Sequence, residues 1–340
     1  MSEGRHPVLA AVLRGLKWVG LALLVLVLVL VGLALWPAST SGLGSTARPV
    51  TDYEAVVAEV DRIRAQEVRD GVIEQCLSRL KTHGQPTERA VVLIHGLTNC
   101  PAQWELFGEE AFRRGWNVLI LRLPEHGLGD RETGKIGSVS HLRHLDAQKL
   151  ARYADRAVDL GVGLGEATDV MGLSLGGTVA AWAAQERDEV DRVVVIAPGI
   201  GSSGMPYAGT WAVTNLFAHL PDISIGGVTK LDHEYQGWST GGIADTFVLG
   251  KFVRQRSKEA KPRAPEISVM LNPNDETISN PVAEDLVEAW RDHGHDVTLY
   301  WLPSEPKLEH DVIDPGQPWA HPGFVYPRLF ALLEGTTPAE

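Results

Sequence analysis

Sulfur and positive charge are both scarce in this chain of 340 residues. Only Cys76 and Cys100 occur, and 31 Lys and Arg face 43 Asp and Glu, for a formal net charge of −12. That balance argues against a nucleic-acid partner and against a peripheral basic patch on a membrane. Metal-ligand clusters are missing too. His141 and His144 stand three apart, but no carboxylate or thiol with ligand spacing accompanies them, so no metal is expected. A Gly-x-Gly-x-x-Gly opening a helix after a strand and a Walker-type lysine loop are both absent, and no cofactor is expected. Internal repeats and long low-complexity tracts are lacking as well.

What is there is a set of apolar runs that end in chemistry. Thr168-Asp169-Val170-Met171 leads into Gly172-Leu173-Ser174-Leu175-Gly176, and an alanine-rich segment from Gly177 to Ala184 follows. This reads as strand, sharp turn and helix, with Ser174 at the apex. The flanking glycines let the chain reverse where a side chain would clash. The turn aims the hydroxyl at a helix N-terminus, where free N–H groups favour a developing negative charge. Earlier, Arg89-Ala90-Val91-Val92-Leu93-Ile94 reads as a strand buried on both faces, ending in His95-Gly96-Leu97-Thr98 before a helix over about Ala102 to Arg114. His95 is best explained as a buried histidine bracing its turn.

Together, His95-Gly96-Leu97 and Gly172-Leu173-Ser174-Leu175-Gly176 resemble the α/β-hydrolase family, most closely its small carboxylesterases and monoacylglycerol-lipase-like members. The likeness covers about residues 88–332. It implies a mostly parallel sheet flanked by helices, a cap inserted late in the chain, and backbone N–H groups of Leu97 and Leu175 as the oxyanion hole. One departure is Pro124-Glu125-His126-Gly127, where many relatives have Pro-Gly-His-Gly; a non-glycine residue there restricts the turn. Further strands are expected at Trp116–Leu123, Arg192–Pro198, Glu266–Asn272 and Asp296–Leu302, with helices over Arg143–Leu160 and Val282–His293.

A serine hydroxyl needs a base, and the base needs an orienting carboxylate. The family's chain order is Ser, then Asp or Glu, then His. Asp275 sits in the loop after the strand ending at Asn272, with Glu276 as its alternative. His310 is the one histidine in the loop after the last strand. The resemblance makes Ser174 the nucleophile, Asp275 the acid and His310 the base. Trp211, Phe217 and Trp238 in the insertion are candidates to line a pocket for an apolar acyl group. The implied activity is hydrolysis of carboxylic esters through an acyl-enzyme. Two alternatives stay open: an acyltransferase with the same triad, and a non-catalytic binding protein with the same fold.

Trp18 and Trp36 bracket an uncharged run from Val19 to Leu35. With both tryptophans included, a helix from Trp18 to Trp36 spans about 28 Å, close to the hydrocarbon thickness of a bilayer. Arg5, Arg14 and Lys17 precede it, which predicts a cytoplasmic N-terminus and an extracytoplasmic head. The rival reading is a cleaved signal peptide and a secreted enzyme. Outside the cytoplasm, Cys76 and Cys100 are candidates to pair, two buried thiols being the alternative. The expected organisation is a cytoplasmic tip and anchor over 1–36, a flexible stalk over 37–50, and a helix and strand lead-in over 51–87. The hydrolase core takes 88–200 and 265–333, the cap 201–264, and a disordered tail 334–340.

Overall fold

The apolar runs become the middle of a seven-stranded sheet. Its strands are β1 (Arg79–Lys81), β2 (Thr87–Ile94), β3 (Asn117–Ile120), β4 (Gly165–Leu173), β5 (Arg192–Ile196), β6 (Glu266–Leu271) and β7 (Val297–Trp301). The computed structural model describes residues 5–227 and 229–338. Spatial order is β1-β3-β2-β4-β5-β6-β7. Only β1 runs antiparallel to its neighbour; the other pairings are parallel. Ile94 pairs with Gly172 and Leu173 with Ile196, so the carboxyl ends of β2, β4 and β5 finish at one level. Loops leaving those ends therefore meet over one rim of the sheet, where ligands bind in open parallel sheets.

Nine helices are described: α1 (Arg5–Leu35), α2 (Tyr53–Arg69), α3 (Glu105–Arg113), α4 (Ala147–Gly161), α5 (Leu175–Glu186), α6 (Tyr207–His219), α7 (Thr240–Glu259), α8 (Asn280–Asp292) and α9 (Pro322–Leu333). Alternation along the strands sorts the two faces. Val92, Val170 and Val195 pack under α4, α5, α7 and α8, with Trp182 and Trp290 at the centre of that layer. Val91, Leu93, Met171 and Val194 face α3 and α9 through Phe107, Tyr326 and Phe330.

Several expectations need correction. The 37–50 segment is no loose stalk but a strap laid on α4 and α5. Leu43 is fully buried and its carbonyl accepts the Trp182 indole N–H at 2.6 Å. Asp155 accepts from Ser45 Oγ at 2.6 Å and Thr46 N at 2.7 Å, and Asp159 from Arg48 N at 3.0 Å. Both carboxylates also hold the buried Arg187 guanidinium. The strand of the lead-in is confined to β1 at Arg79–Lys81, preceded by a 3-10 turn at Glu74–Cys76. Ser78 is diverted instead to the buried Glu67, which accepts from its N at 2.8 Å and its Oγ at 2.7 Å. Helix α4 starts four residues later than expected, because Asp146 caps it by accepting from Lys149 N at 2.6 Å.

The assignment of 201–264 wholly to a cap also fails. Val248, Leu249 and Val253 bury α7 in the same core layer as Trp182 and Leu286, so α7 belongs to the core and not wholly to a cap. At the other end, Glu334 is bonded to Arg114 and Thr336 N closes on Ala331 O, so the tail is ordered at its start; residues 339–340 lie outside the described ones. Helix α1 carries an apolar stretch from Leu9 to Leu35 with mean hydropathy 3.0, none of it buried. It is long and apolar enough to cross a membrane.

Candidate active site

Ser174 occupies the single position between β4 and α5, with φ 61° and ψ −117°. A left-handed φ on a serine is strained and persists only where its surroundings fix it. Here they do so from both sides. Ser174 N donates to Ile196 O at 3.0 Å, while Ser174 O accepts from Thr178 N at 2.9 Å and Gly199 N at 3.0 Å. The glycines are required by contact rather than by φ. A Cβ on Gly172 would lie 2.1 Å from Gly176 O, and one on Gly176 would lie 2.0 Å from Ile94 O. Backbone thus packs directly on backbone beneath the hydroxyl.

The neighbouring turn after β2 is braced by histidines. His95 is fully buried; its Nδ1 contacts Gly96 O at 2.9 Å and its Nε2 accepts from Leu123 N at 3.0 Å. His126 spans Leu97 O at 2.9 Å and Pro124 O at 2.7 Å with its two ring nitrogens. Burial holds His126 neutral, its pKa pushed down to about 4, and pushes His95 well below the usual range. Glu125, the departure from the relatives' glycine, adopts φ 66°, and its carboxylate is held by Lys149 Nζ at 2.7 Å. The left-handed turn is kept without the glycine. The N–H groups of Leu97 and Leu175 have no hydrogen-bond partner among the described residues, and they flank Ser174.

Asp275 and His310 reach the same rim from the loops after β6 and β7. Asp275 Oδ1 accepts from Thr277 N at 2.8 Å and Ile278 N at 3.1 Å, which leaves Oδ2 for His310 Nδ1 at 2.6 Å. The Asp275 side chain is fully buried. His310 Nε2 is buried and has no hydrogen-bond partner, so the Ser174–His310 link is open here. Such contacts often tighten only with substrate bound. Ser174, Asp275, His310 and Leu97 all line one cavity of about 850 Å³. An apolar branch of about 260 Å³ also starts at Ser174 and Leu97, walled by Val213, Phe217, Trp238 and Phe247.

Three polar residues that the sequence did not single out tie these loops together. Gly96 N donates to Gln103 Oε1 at 2.9 Å, and Gln103 Nε2 donates to Asp311 Oδ2 at 2.8 Å, so the turn after β2 is joined to the residue following His310. Burial and the charge of Asp314 raise the Asp311 pKa. Asn272 donates from Nδ2 to Leu308 O at 3.0 Å and Glu309 O at 2.9 Å, holding the His310 loop on the end of β6. The only signals for them were position: beside His310, at a strand end, and at the start of a helix.

Phe217 and Trp238 line the apolar branch, but Trp211 does not. Its ring instead takes Lys251 Nζ at 3.9 Å and the Tyr207 edge at 6.2 Å, because α6 turns that face toward α7. Glu276 lines the larger cavity without contacting the imidazole. Cys76 and Cys100 form a disulfide, Cα to Cα 5.2 Å, that fastens the lead-in to the segment behind the Gly96 turn.

With sheet order, elbow and rim in place, the protein has the α/β-hydrolase fold. Residues 89–221 match the family model described as alpha/beta hydrolase fold. Among solved structures, one from the metagenome-derived lipolytic enzymes LipS and LipT superposes with TM-score 0.58 at 15% identity, covering 78% of this chain and 99% of that one. A monoacylglycerol lipase of Paleococcus ferrophilus gives TM-score 0.54 at 17% identity, covering 76% and 99%. A soluble variant of Saccharomyces cerevisiae monoglyceride lipase, bound to a substrate analogue, gives 0.53 at 14%, covering 76% and 90%. No curated protein matches the sequence.

Proposed function

We propose that the protein is a membrane-anchored serine esterase with a preference for apolar acyl groups. The observation that carries this reading is the Asp275–His310 pair, 2.6 Å apart, sharing a cavity with a serine held at a strained elbow. Asp275 fixes the imidazole with Nδ1–H toward itself, so Nε2 is the nitrogen free to accept a proton. Ser174 Oγ attacks the ester carbonyl carbon as its proton passes to His310 Nε2. The oxygen's negative charge is met by the N–H groups of Leu97 and Leu175. Collapse of the tetrahedral intermediate releases the alcohol, protonated by His310, and leaves an acyl-serine. Water then gives a proton to His310 and attacks the acyl carbon, and Ser174 recovers its proton as the acid leaves. The 260 Å³ branch suits the acyl chain.

Arg14 and Lys17 lie in the first half of α1, before its uncharged run Val19–Leu35, and no charged residue follows until Arg48. That asymmetry supports a retained anchor with its N-terminus in the cytoplasm and the head outside. The Cys76–Cys100 bond fits an oxidising compartment. Ser174→Ala is expected to lower ester turnover by at least about a thousandfold and to abolish labelling by a fluorophosphonate, with the thermal transition unchanged. Retained turnover would reject the assignment.

A further inference from the structure

Asn215 ties the end of α1 to the cap. Asn215, on α6 and buried, donates from Nδ2 to Ala34 O at 2.8 Å and accepts at Oδ1 from Ala38 N at 3.0 Å. It thereby bridges the end of α1, where a helix leaves carbonyls without partners. Trp36 lies against His219 at the end of α6, ring centroids 6.0 Å apart. The same α6 presents Val213 and Phe217 to the apolar branch beside Ser174. Just beyond it, Ile223 is 61% and Ile225 46% exposed, and Ile225 also lines that branch.

An apolar span cannot stop short of the interface without leaving Leu35 and Trp36 in water, and Trp is at home at that boundary. Asn215 then sets α6 at the same level. The exposed Ile223 and Ile225 add apolar surface to the cap just after α6, and Ile225 reaches the wall of the apolar branch. We propose that α6 and the Ile223–Ile225 segment rest on the leaflet that α1 leaves at Trp36, and that the site takes its acyl chain directly from that leaflet. The substrate class is thus a bilayer-resident lipid ester rather than a dissolved one. This rests on the reading of Ser174 as nucleophile and of α1 as a retained span.

The test uses the full chain in phosphatidylcholine vesicles. One arm compares a long-chain fluorogenic ester dissolved in the bilayer with a short-chain 4-nitrophenyl ester in the aqueous phase. Asn215→Ala and Ile223→Glu are each expected to lower turnover of the bilayer ester about tenfold while leaving the aqueous ester unchanged. Equal effects on both esters, or on neither, overturn the proposal. The second arm needs no catalysis. An environment-sensitive dye on Ile223→Cys is expected to be quenched by nitroxide-labelled lipid, whereas the same dye on Glu166→Cys, at the far end of β4, is not. No quenching at position 223 overturns the docking, as does a purified chain whose mass lacks residues 1–36. Absent turnover of the aqueous ester by the wild type, with quenching intact, indicts the serine reading instead.

Discussion

The two walls of the site are built in opposite ways. On the sheet side, Ser174 is held by backbone bonds on both flanks, and glycine backbone touches backbone with no room for a methyl group. On the cap side, side chains do the work: Val213 and Phe217 from α6 and Trp238 from the chain before α7 line the apolar branch, and Asn215 ties α6 to the end of α1. Under the proposed ester hydrolysis a reacting carbonyl demands one geometry, and the wall that would meet it is made of the least deformable contacts. An acyl chain varies in length, and the wall proposed to meet it is made of replaceable volume.

That contrast predicts how each wall breaks. The largest effect belongs to the relay. Asp275→Asn is expected to lower kcat by about a thousandfold or more with little change in KM, since the amide no longer orients the ring or stabilises its charge; steady-state kinetics decides. Next comes Gly176→Ala on the sheet side, whose Cβ would lie 2.0 Å from Ile94 O. It should destabilise the fold by about 3–5 kcal/mol, read by denaturant unfolding, with activity lost in step. Reduction of the Cys76–Cys100 bond, which closes a sequence separation of 24, is expected to cost about 3 kcal/mol in the same assay. On the cap side, Phe217→Ala should leave stability nearly unchanged while shifting acyl preference toward longer chains, with about a tenfold change in relative kcat/KM.

The last effect is a slope with pH. His126 is neutral in the fold, its pKa lowered from 6.5 to about 4 by burial. As pH falls below 6.5 the unfolded chain takes up a proton that the fold refuses, so stability declines until about pH 4. His95 adds in the same direction. His126→Gln should flatten the decline of the thermal transition across this window. An unchanged slope would place the acid sensitivity elsewhere.

The same contrast explains which parts were legible in the sequence. Ser174, Asp275 and His310 each follow an apolar run, and strand ends bring such positions to one rim whatever the surrounding detail. The elbow was written in adjacent residues. Trp211 was not legible as a packing residue, because α6 is aromatic or small on most sides and its orientation is set by α7. The 37–50 segment reads as a flexible linker by its Ser, Thr and Gly content. Its partners Asp155, Asp159 and Trp182 lie more than a hundred residues away and give no local sign. Gln103, Asn272 and Asp311 escaped for the same reason, each being defined by what it bridges.

That strap has a practical consequence for where the chain tolerates cutting. A head released by proteolysis near Ala38 keeps Leu43 in its slot and the carboxylates of Asp155 and Asp159 satisfied. A head starting at Val50 would strip Trp182 of its acceptor and open the flank of α5, the helix that Ser174 precedes. Each buried group so orphaned costs about 1–3 kcal/mol. The smallest autonomous head therefore begins within a dozen residues of Leu35, the end of α1, and a protease would release it whole only if the cut falls on the α1 side of Leu43.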